Sequence, residues 1–151
     1  FRSAHAFGAD FVFAIAPAVD LDAIRKSDTS KTWRHVPLYE FADAAALSLP
    51  RDCELVGVEL LDEAVDLPSF THPARAAYVL GPEKGELSPA LVARCAHVVK
   101  IPTSFCVNVG VAGAILMYDR IIARGGHPPR PVAPGGPAGT RQPGARSRSR
   151  K

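Results

Sequence analysis

The chain has 151 residues, 47% of them hydrophobic and 22% charged, with a formal net charge of +3. These are proportions for one globular domain with a real core, and no apolar run approaches the roughly 18 residues that span a membrane. The cysteines Cys53, Cys95 and Cys106 are odd in number and far apart, with no C-x-x-C pair. That pattern suggests neither a zinc site nor a disulfide framework and leads us to expect no metal and a reduced, cytoplasmic setting. No secretory leader is visible.

The positive charge is unevenly placed. Residues 128–151 hold six basic residues (Arg130, Arg141, Arg146, Arg148, Arg150 and Lys151) and no acid, which leaves 12 basic against 15 acidic residues, a net −3, for residues 1–127. A high pI therefore does not by itself argue for a nucleic-acid-binding fold.

The elements follow in chain order. Residues 2–8, RSAHAFG, read as the end of a helix with Gly8 as its stop. The chain starts at Phe1 inside this helix-like stretch, and an earlier strand and loop are expected to precede it in the natural protein. Residues 10–16, DFVFAIA, are a short apolar strand. Residues 32–41 are an extended segment with Pro37 inside it. Residues 42–50, ADAAALSLP, read as a helix stopped at Pro50. Residues 53–60 and 76–81 are strands. Residues 88–96 are a helix that Ser88 can cap, with Pro89 suited to its first turn. Residues 97–102, HVVKIP, are a further strand. Residues 105–124 are a long final helix, ended by Gly125 and Gly126. Short strands separated by helical stretches imply parallel pairing through crossovers.

Between Gly125 and Gly144, 12 of 20 residues are Gly or Pro, and ARSRSRK follows. Such a composition buries too little apolar surface to offset its ordering entropy. The boundary thus separates a domain at 1–126 from a disordered tail at 127–151, which serves either as a solubilising extension or as an arm that attracts RNA phosphates.

The final helix carries no charge from Phe105 to Met117. An ordinary surface helix has a polar face, so burial all round is expected, either as a central core helix or across a homodimer. Gly110, Ala112, Gly113 and Ala114 are small enough to admit another backbone. Asn108 is the strong hydrogen-bonding side chain of this stretch and needs a partner if buried: a loop carbonyl, or a ligand-binding loop.

The stretch 80–89, LGPEKGELSP, packs three turn-formers, an acid and a base into six residues. It is either an ordinary strand-to-helix turn or a loop past which a ligand runs close to the backbone. YVLGPEKGELSPALVARCAHVVKIP, followed by FCVNVGVAGAILMYD, resembles the two C-terminal signatures of the SpoU/TrmH family. FRSAHAFGADFVFAI resembles the tail of its first signature, with Arg2, Phe7 and Gly8 on matching positions. Leu80, Gly81, Glu83, Gly85, Ile101, Pro102, Asn108 and Val109 match the later two. The resemblance covers residues 1 to about 124. Departures fall at Cys106 and Val107, where Ser-Leu is usual, and at Gly110, where Ser is common.

The resemblance implies an RNA ribose 2′-O-methyltransferase acting on tRNA or rRNA. It implies an α/β fold of the SPOUT type: a parallel sheet with helices on both faces and a C-terminal trefoil knot. It implies S-adenosylmethionine as methyl donor, bound by Leu80, Gly81, Glu83, Gly85, Ile101, Pro102, Val107, Val109 and Ala112. It also implies Arg2 and Asn108 as catalytic residues, and a homodimer through the C-terminal helix. Glu83 orders its own loop or touches ligand or RNA, and Lys84 meets a phosphate or solvent. Arg2 meets the ribose hydroxyl and its phosphate, or is a surface arginine. The alternative reading is a non-catalytic RNA-binding relative. With no Walker pattern and no G-x-G-x-x-G, another nucleotide-binding enzyme is disfavoured.

Overall fold

The computed structural model describes residues 1–27, 31–82, 85–125, 127–134 and 136–137. Glu83, Lys84, Gly126 and residues 138–151 of the expected tail lie outside the described residues. In chain order the elements are α1 (Arg2–Ala6), β1 (Val12–Ile15), α2 (Leu21–Ser27), β2 (Leu38–Phe41), β3 (Glu54–Val58), β4 (Val65–Asp66), β5 (Ala76–Leu80), α3 (Pro89–Val92), β6 (His97–Lys100) and α4 (Val109–Arg124). Short 3-10 turns occupy Thr32–Arg34 and Leu67–Ser69.

Every strand pair among the described residues is parallel, as the alternation of strands and helices predicts. The strands divide into two sheets among the described residues: β1-β2, and a four-stranded sheet in the order β4-β6-β3-β5. β3 is central. Its residues alternate between two cores, as side chains on a strand must. Leu55 joins Ala77, Val79, Leu87 and Leu91, with Phe13, Ile15 and Phe41 packed against them. Val56 joins Val99, Leu67 and Leu116, with Val58 and Tyr78 against them. Thus α3 lies against one face of this sheet and α4 against the other. Gly57 permits the first packing: a Cβ there would stand 3.1 Å from Cys95 Sγ and 3.3 Å from Leu87 Cδ1.

Three expectations fail for identifiable reasons, and one helix, α2, was not foreseen. Residues 42–50 form turns, not a helix. The Asp43 carboxylate accepts from the Ala46 N–H at 2.8 Å, and Arg94 donates to the carbonyls of Ala44 and Leu47. These bonds take the backbone groups a helix would need. The segment 32–41 is extended only from Leu38; before it Lys31 turns left-handed at φ 53° and opens a 3-10 turn that buries Thr32. α2 lacks the long apolar period that marks a helix, yet Asp20 starts it by accepting from the N–H groups of Asp22 and Ala23.

The last correction concerns α4. It begins at Val109, not Phe105, because Asn108 is its N-cap: the side-chain oxygen accepts from Gly110 N–H at 2.9 Å. Nor is the helix buried all round within one chain. Ala112 and Leu116 are buried, while Val111, Ile115, Tyr118 and Ile122 remain 37–51% exposed. Their spacing of four, three and four residues sets them along one face.

The C-terminal half of α4 is pinned by polar groups. Arg120 donates to Tyr78 Oη at 2.9 Å and to the carbonyls of Pro73 and Ala74. Burial pushes the Tyr78 hydroxyl above its ordinary pKa, against the pull of Arg120, so it keeps its proton. The hydroxyl is hydrogen-bonded with His72 Nδ1 at 2.6 Å. The other ring nitrogen, Nε2, lies 3.0 Å from Asp119 Oδ2. Arg124 closes the set by donating to the His72 carbonyl.

Candidate functional site

Three adjacent parallel strands, β6, β3 and β5, end at the same edge. Parallel sheets bind ligands outside these carboxyl ends, where the chain leaves each strand and backbone groups are free to turn outward. A cavity of about 420 Å³ opens there, within the range of small-molecule sites. β3 contributes Val58 and the following Glu59 and Leu60. β5 contributes Leu80 and the following Gly81, Pro82 and Gly85. After β6 come Ile101, Thr103, Phe105, Cys106 and Val107, and α4 closes the far wall with Asn108, Val109 and Ala112.

The expected residues converge here. Leu80, Gly81, Gly85, Ile101, Val107, Asn108, Val109 and Ala112 all line this one cavity, although up to 32 positions separate them. Pro102 is exposed and is not among the lining residues. Glu83 lies outside the described residues. Arg2 is exposed at the start of α1 and does not line the cavity, although α1 packs against α4.

The two loop glycines serve different ends. Gly85 sits at φ +115°, a conformation that L side chains rarely adopt. Gly81 is needed for space, because a Cβ would stand 3.0 Å from Glu59 Oε2 and 3.4 Å from the Leu87 nitrogen. Beyond β6, Thr103 folds the segment 101–105 back on itself, its N–H donating to Ile101 O at 2.8 Å and its hydroxyl to Phe105 O at 2.8 Å.

Glu59 is the residue that motif reading missed. Its Oε2 accepts from Leu87 N–H at 2.9 Å and its Oε1 from Leu60 N–H at 3.0 Å. It therefore ties the end of β3 to the loop after β5. Its signal in the sequence was positional: β3 neighbours both motif-bearing strands, so whatever follows it faces the same cavity.

Chemically, the described residues offer apolar walls from Leu80, Ile101 and Val109, a glycine-lined floor, the Asn108 amide, the Thr103 hydroxyl, the Cys106 thiol and the Glu59 carboxylate. Such a set suits a flat heterocycle held by backbone groups, with a polar or cationic portion nearby. Leu80, Gly81, Ile101 and Val109 stand together on the cavity's walls.

Comparison with solved structures bears on this geometry. The SpoU methyltransferase AviRb from Streptomyces viridochromogenes, in complex with the cofactor AdoMet, aligns with a TM-score of 0.70 at 23% identity, over 83% of this chain and 51% of that one. An rRNA methyltransferase from Sinorhizobium meliloti aligns with a TM-score of 0.66 at 19% identity, over 80% and 48%. An RNA 2′-O ribose methyltransferase aligns with a TM-score of 0.63 at 26% identity, over 82% and 49%. The chain thus spans about half the length of these proteins. Comparison with curated protein sequences gives no match. The model of the SpoU rRNA methylase family matches residues 1–118, and with both loop motifs gathered around one cavity, the chain belongs to that family.

Proposed function

We propose that the cavity binds S-adenosylmethionine and that the protein methylates a ribose 2′-hydroxyl of tRNA or rRNA. The observation that carries this is the convergence of residues from both motifs on the cavity at the carboxyl ends of β3, β5 and β6. The solved relative with AdoMet and the one named as a 2′-O ribose methyltransferase support it. The trefoil knot belongs to the same proposal, with the segment from β6 through α4 as its threaded part. S-adenosylmethionine supplies an already activated methyl group. The chain's own task is to align that group with the acceptor and exclude water. Leu80, Ile101 and Val109 wall the cavity, Asn108 holds the start of α4 in place, and Arg2 orients the acceptor ribose and its phosphate from α1.

Incubated with labelled S-adenosylmethionine and cellular RNA, the protein should transfer label to a nucleotide that then resists alkaline cleavage. Unlabelled RNA, with the donor bound, contradicts the proposal. Arg2→Ala should cut turnover about a hundredfold and leave donor affinity, measured by calorimetry, nearly unchanged. Equal losses in both remove the role given to Arg2. A non-catalytic RNA-binding relative is favoured by one feature, the Cys106 thiol lining the cavity where the family places a hydroxyl. In that reading RNA binds and no donor does.

The exposed stripe of Val111, Ile115, Tyr118 and Ile122 supports a homodimer through α4. Tyr118→Glu should shift the sedimentation coefficient from dimer to monomer. An unaltered chain that already sediments as a monomer at micromolar concentration removes this part of the proposal.

A further inference from the structure

Glu59 is the only Asp, Glu, Lys, Arg or His lining the cavity among the described residues. Its carboxylate does not swing freely: each oxygen accepts a backbone N–H, from Leu60 at 3.0 Å and from Leu87 at 2.9 Å. Each oxygen also keeps further acceptor capacity, and the negative charge is held where β3 meets the cavity.

We propose that Glu59 is the group by which the cavity distinguishes a sulfonium donor from the thioether left after transfer. This rests on the cavity being the S-adenosylmethionine site. The donor and its by-product share adenine, ribose and amino-acid portions. They differ by one methyl group and one positive charge. During transfer the methyl carbon bonds to the ribose oxygen and the hydroxyl proton leaves to solvent. The electron pair of the broken C–S bond stays on sulfur, which becomes neutral.

The carboxylate therefore attracts the molecule before transfer and loses that attraction afterwards. A cavity of 420 Å³ is roughly 9 Å across if taken as a sphere, about one Debye length in physiological salt. A sulfonium anywhere inside it thus feels Glu59. At the effective dielectric of a partly exposed site, the attraction is worth about tenfold in affinity. Spent donor would leave, and fresh donor would enter, on this charge difference.

The test is calorimetry on the full chain with three ligands: S-adenosylmethionine, S-adenosylhomocysteine and sinefungin, whose ammonium stands in for the sulfonium. Glu59→Gln keeps the volume and one acceptor oxygen. It should weaken the two cationic ligands about tenfold and S-adenosylhomocysteine less than threefold. Glu59→Asp, which keeps the charge, should retain discrimination. In the unaltered chain, the affinity ratio of donor to by-product should fall as salt rises, a measurement that stands even if a variant fails to fold. Equal weakening of all three ligands by Glu59→Gln, or a ratio independent of salt, overturns the proposal and reduces Glu59 to a loop support. If the unaltered chain binds none of the three, the cofactor reading falls, and this proposal with it.

Discussion

Gly81→Val should lower affinity for S-adenosylmethionine about a hundredfold while leaving the protein folded. The reason is local crowding. Even the Cβ of a valine stands 3.0 Å from Glu59 Oε2 and 3.4 Å from the Leu87 backbone nitrogen. The carboxylate can move aside, but it then releases the Leu87 N–H that it holds at 2.9 Å. The backbone nitrogen cannot yield without shifting residues 81–87. The added methyls push this loop and the neighbouring cavity wall together. Overpacking of this kind costs about 1–3 kcal/mol, and about 2.7 kcal/mol of lost binding energy is a hundredfold in Kd. Calorimetry measures the affinity, and a thermal melt checks that the fold survives. Donor affinity within twofold of the unaltered chain would show that the loop after β5 does not shape the binding site.

His72→Leu should have the opposite profile, a large loss of stability with little change in donor affinity. The His72 side chain is fully buried and bonded at both ring nitrogens, to Tyr78 Oη at 2.6 Å and Asp119 Oδ2 at 3.0 Å. Leucine fills much of the volume but leaves both partners without that bond. Asp119 is partly exposed and recovers water. The Tyr78 hydroxyl, half-buried beneath Arg120, recovers less. We expect a loss of about 2–4 kcal/mol, read as a lower denaturant midpoint at unchanged slope. Asp119 lies seven residues beyond Ala112 on α4, about 10 Å along the helix axis, so the cavity should be little disturbed. A loss below 1 kcal/mol would mean that the polar chain on α4 is dispensable. Together the two variants separate folding from binding.

Much of the cavity lining was legible because its residues sit in two compact loop motifs. β3, β5 and β6 were legible for a related reason: strands buried on both faces are short continuous apolar runs. What escaped the sequence depended on residues far away in the chain. The alanines of 42–50 favour a helix locally, but Arg94, roughly 50 positions later, takes the carbonyls of Ala44 and Leu47. Glu59 belongs to neither motif, and only the strand order reveals that it faces both. The uncharged run of α4 left two readings open, a core helix of one chain or a helix covered across a homodimer. The first fails, because the period divides the helix into a covered face, with Leu116, and an apolar face that one chain leaves exposed.

The strand order also constrains how the protein is made. β3 pairs with no near neighbour: Glu54 meets Ala76, 22 positions on, and Val56 meets His97, 41 positions on. Contacts this remote slow folding, because a long loop must close before any pairing rewards it. During synthesis, the apolar centre of β3 keeps an open edge until residues 97–100 have cleared the ribosome. Until then the growing polypeptide presents an unpaired apolar strand edge to its surroundings.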